Sequence, residues 1–495
     1  MICISISQES RRLALADMLN ASRQCDLLEI RLDRFGKAPE IHDLLSARPK
    51  PVIMSCRRPQ DGGEWDGTES ERQAILRQCI MAKADYVEIE LDVADQLRAF
   101  PGTKRVISYT NLQETPDDIA EIYNEALKKN PDVVKLTTLA RTPEEAWPLL
   151  QIVAKASVPT VIVGLGKPGV MLAVLGKKVG APWTYAALEK GMEAHPEQPT
   201  VTDLRKIYHY EEIGKGTRFV GVTGLTYRED VTVAVFNAAF AHLALPFRCL
   251  PLVVGNVRLF RKVMDSVKLA AVVVGEEDQT DLFDVAGQVD STAAQTRAVE
   301  LLVLKNDTWH GFNHSHKGAI EALETTLRAR TGKTEPLHGK IAAIVGTNWL
   351  ARSLAERLTD LGVGLIIASS DKAKAQQLAV LSKCRFTQLE GIYTMAHDVL
   401  IVCEDPKQPV RSGLKGSEGI HPSYLKSSMA VMDLTAGTKK SELLREAEKR
   451  GCAVVPPRQL FLSNLHRQVR LLTGQDVPME PMAVMFNSLM PEDDG

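Results

Sequence analysis

The chain has no C-x-x-C pair, and its eight cysteines follow no regular spacing. Neither a disulfide framework nor a structural zinc site is expected from that usage. Neither sign of charge is in excess: 60 Lys and Arg stand against 62 Asp and Glu, a net charge of −2. The basic footprint that phosphate-backbone binding requires is missing, so nucleic acid is not an expected partner. No run approaches the roughly 20 apolar residues of a membrane span, and the first residues, MICISISQES, lack the basic-then-apolar order of a signal peptide. The expectation is a reduced, cytoplasmic protein without a membrane partner. What remains is ordinary globular usage, 44% hydrophobic and 25% charged over 495 residues, enough apolar surface for about three domains.

Short β-branched runs alternate with longer amphipathic stretches over the first two hundred residues. The runs read 2–7, 26–33, 51–57, 85–91, 105–110, 132–137, 160–164 and 183–188, with helical spacing between most of them, as over 68–84 and 116–129. Eight βα units in that length predict a (β/α)8 TIM barrel. A polar stretch around 209–217 and a charged one at 328–339 suggest linkers. They divide the chain into 1–213, 217–330 and 336–495. The third part reads as a Rossmann-like doubly wound fold, with strands at 340–345, 363–368, 398–403 and 429–434 and a helix at 350–361. The final PEDDG is expected to be a frayed tail.

Polar residues inside apolar barrel strands are the first candidates for chemistry, because function gathers at the C-terminal ends of the strands. In EIRLD, Glu29, Arg31 and Asp33 alternate and so share one side of the second strand. They are either a functional set or an ion-pair layer that fills the barrel. Arg57 leaves the third strand just before the Gly62-Gly63 loop, where its planar fork could hold a carboxylate. Lys135 lies in DVVKLTT, an apolar run in which a lysine is costly. Burial favours the neutral amine, which can attack a carbonyl and form a Schiff base; the plainer reading is a lysine snorkelling to the rim.

The order EIRLD, CR with DGGE, SYTNLQETP, DVVKL, GLGKPG and HPEQ resembles type I 3-dehydroquinate dehydratase across about residues 1–210. The downstream half is similar to shikimate dehydrogenase, so the chain as a whole resembles the fused enzymes of the shikimate pathway. That resemblance implies a dehydratase that needs no cofactor and takes a small keto-acid substrate, with a homodimer left open. It implies an imine between Lys135 and the C3 ketone, Glu29 beside it, contacts to substrate or its supporting shell from Arg31, Arg57 and Asp61, and Gln198 closing the site. The family's proton-shuttling histidine falls on Thr110, its carboxylate-binding arginine on Ala173 and a loop serine on Ala194. Arg141, just past the sixth strand, is a candidate to replace that arginine.

Departures are larger downstream. The family's two carboxylate-binding serines fall on Asp230 and Thr232, its catalytic lysine on Glu277 and its aspartate on Ser315; a late glutamine falls on Asn464 and an Asn-Thr pair on Glu300 and Leu301. At the nucleotide turn Gly346 is the single glycine, Trp349 comes after it, and Asp371 stands where an NADP-reading arginine is absent. Gly346 and Asp371 are the positions offered to NADP or NAD. The reductase half is therefore expected to be weak or inactive. His310, His314 and His316 cluster in WHGFNHSHKG; incidental loop histidines are the plainer reading and no metal is expected. Two alternatives are a retired metabolite-binding scaffold and an altered Schiff-base lyase or aldolase working on another ketone.

Overall fold

The computed structural model describes the backbone of all residues except 37–39, 167, 225–226, 405–419 and 492–495. The side chains of 227–229, 259, 263 and 265–266 are also outside the description. Lys167 of GLGKPG, residues 225–226 shortly before Asp230, and all but the first residue of the expected tail thus lie outside the described residues. By backbone contacts the chain divides into two compact units, Met1–Leu225 with Phe240–Ala270, and Thr226–Ala239 with Ala271–Gly495.

In the first unit the eight expected strands are all present: β1 (Ile2–Ile6), β2 (Leu27–Arg31), β3 (Val52–Ser55), β4 (Tyr86–Glu90), β5 (Lys104–Asn111), β6 (Val133–Leu139), β7 (Thr160–Leu165) and β8 (Thr184–Ala186). They pair in parallel in the order β7-β6-β5-β4-β3-β2-β1-β8, a nearly closed barrel. Most strand residues are buried on both faces, which is why the runs read as continuously apolar. Helices fill the crossovers. One of them, Glu69–Met81, starts at a capping box in which Thr68 and Glu71 exchange hydrogen bonds.

Inside the barrel, strand alternation builds layers. Cys3, Leu27, Ile53, Val106, Val133, Val161, Trp183 and Tyr185 form one apolar cluster, with Tyr86 and Val163 against it. Two residues further along the strands stand Ser5, Glu29, Ser55, Glu88, Ser108 and Lys135, with all but the half-buried Ser5 fully buried. The same side of each strand therefore passes from an apolar plug to a charged layer nearer the C-terminal mouth. The first unit also holds β9 (Arg218–Thr223) and β10 (Phe247–Leu252), paired in parallel.

The strand β11 (Leu269–Val273), which enters the second unit at Ala271, pairs antiparallel with β13 (Leu301–Lys305), β13 pairs antiparallel with β14 (Thr308–Phe312), and β12 (Gln288–Val289) joins β14 in parallel. Then come β15 (Ile341–Val345), β16 (Gly364–Ser369), β17 (Arg385–Gln388), β18 (Val399–Val402), β19 (Ala430–Asp433) and β20 (Ala453–Val454). Their parallel order, β17-β16-β15-β18-β19-β20, reverses direction at β15 as in a doubly wound sheet. The short strands β17 and β20 add to the four expected from the sequence. No helix among the described residues is long and apolar enough to cross a membrane.

Candidate active site

Lys135 sits in mid-strand on β6 and is 2% exposed. Its Nζ lies 2.9 and 3.1 Å from the two carboxylate oxygens of Glu88 and 4.0 Å from Glu29. Arg57 completes the set: its Nη2 donates to Glu29 and lies 3.3 Å from Glu88. Two cations and two anions balance, which is what allows four charges to be buried in one layer. The Tyr185 ring faces the lysine, with Nζ 4.5 Å from its centroid.

Burial by itself would raise the Glu29 carboxyl, but Arg57, Lys135, Arg31 and the Ser5 hydroxyl outweigh it and hold Glu29 well below the usual carboxylate range. Burial opposes the charge on Arg57 too, yet Glu29 and Glu88 push it above its ordinary value, so the guanidinium stays charged. Burial, reinforced by Glu29, Cys3 and Glu88, pushes the Tyr185 phenol well up and keeps it protonated. Two donors here have no hydrogen-bond partner among the described residues, Nε of Arg57 and the hydroxyl of Tyr185. A buried polar group left unpaired costs about 1–3 kcal/mol, and such groups mark places where water or a ligand completes the network.

Other residues singled out in the sequence have other partners. Arg31 forms a fork with Asp33 at 2.9 and 2.6 Å and reaches the Gly62 carbonyl at 3.1 Å, while Asp33 accepts from the Glu64 amide at 3.0 Å. Together they pin the loop after β3. Asp61 accepts from Arg58 at 2.6 Å, and Arg58 also forks onto Asp92. Gln198 is buried, and its Oε1 accepts from the Ala194 amide at 2.7 Å, which ties the last loop together. Gln198, Ala173, Tyr185 and His195 line a small cavity of about 20 Å3 with Gly164, Gly169 and Thr184. Thr110 lies in register with Thr137 on β6, two residues beyond the Ser108–Lys135 pair. Arg141 is exposed and donates to the Gln113 carbonyl; it does not line the cavity.

Glu88 and His195 escaped the sequence reading. YVEIE carries the same alternation as EIRLD, and that signal could have found Glu88. Nothing periodic marks His195, a histidine in a loop.

The second unit gathers different groups. The Glu300 carboxylate accepts from the amides of His314 and Ser315 at 2.7 and 2.9 Å, and burial raises its pKa. Glu277 is exposed. His314 faces Asp290 at 3.3 Å, and burial lowers His316 to about 4. Among the described residues no group of three or more His, Cys, Asp or Glu side chains is placed to hold a metal.

The residues at the nucleotide turn do not fit a dinucleotide. Gly346 takes a positive φ of 118°, but the next amide, Thr347, donates to the Glu404 carboxylate at 3.1 Å. An anion already occupies the donor that a pyrophosphate would use. A Cβ on Gly346 would meet the Glu404 side chain at 3.0 Å. Asn348 caps its own helix and donates to the Cys403 carbonyl at 2.8 Å, and Asp371 caps the helix Lys372–Leu381.

A parallel eight-stranded barrel with a lysine buried among carboxylates is an arrangement suited to imine chemistry. The type I 3-dehydroquinase family matches residues 2–215. The 3-dehydroquinate dehydratase of Methanopyrus kandleri is 33% identical over 188 residues, 37% of this chain and 86% of that protein. Over its barrel, this chain belongs to the type I 3-dehydroquinase family. The bifunctional 3-dehydroquinate dehydratase/shikimate dehydrogenase, chloroplastic, of Arabidopsis thaliana is 26% identical over 477 residues, 92% of this chain and 79% of that protein. The half of the chain after the barrel is a shikimate-dehydrogenase-like module. A solved shikimate dehydrogenase in complex with NADP+ is 19% identical, with a TM-score of 0.47, and the match spans 56% of this chain and 96% of that one.

Proposed function

We propose that the barrel dehydrates 3-dehydroquinate to 3-dehydroshikimate through an imine on Lys135. The observation that carries this reading is the lysine itself, buried with Glu88 at 2.9 Å in a chain of this family. An ammonium has no lone pair with which to attack a ketone. Glu88 is within reach to take its proton, and Arg57 then compensates the remaining carboxylate, Glu29, while the nitrogen is neutral. Attack on C3 gives a carbinolamine, loss of water gives the imine, removal of the C2 proton and departure of the C1 hydroxyl give the product imine, and water frees the lysine. The unpartnered Arg57 Nε and Tyr185 hydroxyl are the donors offered to the oxygens of the substrate. Arg31 and Asp61 support the loop after β3, and Gln198 closes the site from the last loop.

No reduction step is assigned to the second half, because Glu404 stands at the pyrophosphate position and Glu277 and Ser315 stand where the resemblance puts a catalytic lysine and aspartate. The segments 1–213, 217–330 and 336–495 are proposed as the functional modules.

The test is to mix the purified chain with 3-dehydroquinate, add borohydride and weigh the peptides. A reduced adduct on the Lys135 peptide is expected. Well-folded protein that gives neither adduct nor product would remove the reading.

A further inference from the structure

The charged layer around Lys135 offers no evident group to carry the proton from C2. Thr110 cannot titrate near neutrality. Glu29 is committed to Arg57, Glu88 already holds the proton taken from Lys135, and a phenol held protonated, as in Tyr185, can donate but not take up a proton. Removing a proton next to an iminium carbon needs an uncommitted lone pair beside the imine.

We propose that His195 is the catalytic residue that moves this proton, acting through Nε2. This rests on the reading of Lys135 as the imine-forming residue. His195 shares one cavity wall with Tyr185, whose ring lies over the Lys135 nitrogen, and with Gln198 and Ala173. Ala173 puts only a methyl group in that wall. The imidazole Nδ1 is 2.9 Å from the Pro196 carbonyl, which can only accept, so Nδ1 carries the hydrogen and Nε2 holds the bare lone pair. Nε2 has no hydrogen-bond partner among the described residues. Burial lowers the pKa of the ring against the opposing pull of the Pro196 carbonyl, so the neutral form stands ready at neutral pH. Tyr185, a residue of the same lining and 6% exposed, has a buried hydroxyl without a partner among the described residues, as a group that a ligand completes would have.

The step balances without any outside reactant. Nε2 takes the C2 proton and the C–H electron pair moves into the iminium, giving an enamine. The enamine expels the C1 oxygen, and the imidazolium returns its proton to that oxygen, which leaves as water. Hydrolysis of the conjugated imine then frees Lys135.

The full chain and its His195→Gln and His195→Ala variants are compared for turnover of 3-dehydroquinate and for borohydride trapping. The expected result is a kcat lower by about 10²- to 10⁴-fold with the Lys135 adduct retained, and partial recovery of His195→Ala by added imidazole. A kcat within about threefold of the parent in both variants would overturn the assignment. So would loss of adduct together with turnover, because His195 would then serve binding or folding. Failure of the underlying reading looks different: the parent chain itself gives neither adduct nor product.

Discussion

Each buried charge at the barrel mouth is tolerable only because the others are present. Lys135→Met should abolish borohydride trapping and turnover. It should also destabilise the barrel by about 3 kcal/mol, since it leaves Glu88 buried with Arg57 as its one remaining cation. Adding Glu88→Gln should recover part of that loss in urea denaturation without restoring turnover. The opposite sign is expected at Tyr185, whose hydroxyl is buried without a partner among the described residues. Tyr185→Phe should leave stability unchanged or raise it by about 1 kcal/mol, while kcat/KM falls about tenfold. A variant that is both more stable and fully active would show that the hydroxyl does not meet the substrate. Much at this scale was legible in the sequence: a lysine in an apolar run and charges alternating along EIRLD pointed to Lys135 and Glu29. The pairings were not. Whether Arg31 faces substrate or Asp33 depends on where the Gly62 carbonyl falls, a matter of loop geometry that spacing does not carry.

Elements were easier to read than residues because parallel strands are buried on both faces and appear as unbroken apolar runs. All eight barrel strands and the four expected strands of the doubly wound sheet lie within about three residues of their expected ends. The strands β17 and β20 were missed: RFTQ is a polar edge strand, and β20 is only two residues long. The histidine run illustrates how an element redistributes residues that are neighbours in sequence. His310 lies on β14, His314 stands at the residue before the following helix without a capping hydrogen bond, and His316 is buried on that helix. Burial holds His316 at about 4, against 6.5 for an ordinary histidine, so the folded helix favours the neutral ring. The unfolded chain takes up a proton first as pH falls. Stability from this group is therefore complete above 6.5 and is lost as pH drops towards 4. Urea midpoints should decline over that window, and His316→Gln should flatten the decline. An identical slope in the variant would assign the pH dependence elsewhere.

On the scale of the whole chain, two modules that resemble successive steps differ in how far their residues suit the chemistry proposed for them. The barrel retains a costly, balanced set of four charges, which drift would be expected to dismantle, because losing any one partner strands the others. The second half has the outline of a nucleotide-binding sheet, yet a carboxylate answers the Thr347 amide and a tryptophan begins the helix at the turn. Ligand that binds only the native state stabilises it by RT ln(1 + [L]/Kd), so a true dinucleotide site would be evident as a higher melting temperature without any turnover. The full chain should show no thermal shift with NADPH or NADH up to about 100 times an ordinary micromolar Kd, a concentration at which a native site would add about 2.7 kcal/mol. With 3-dehydroquinate and NADPH together, 3-dehydroshikimate should accumulate while absorbance at the nicotinamide band stays constant. Glu404→Gln separates the two obstacles. If the carboxylate alone blocks the turn, this variant should gain a thermal shift with NADPH and still fail to reduce product, because Glu277 puts a carboxylate where the resemblance has a lysine and Ser315 a hydroxyl where it has an aspartate. NADPH oxidation by the parent chain at an ordinary enzymatic rate would mean that the second half had rebuilt its chemistry from other residues.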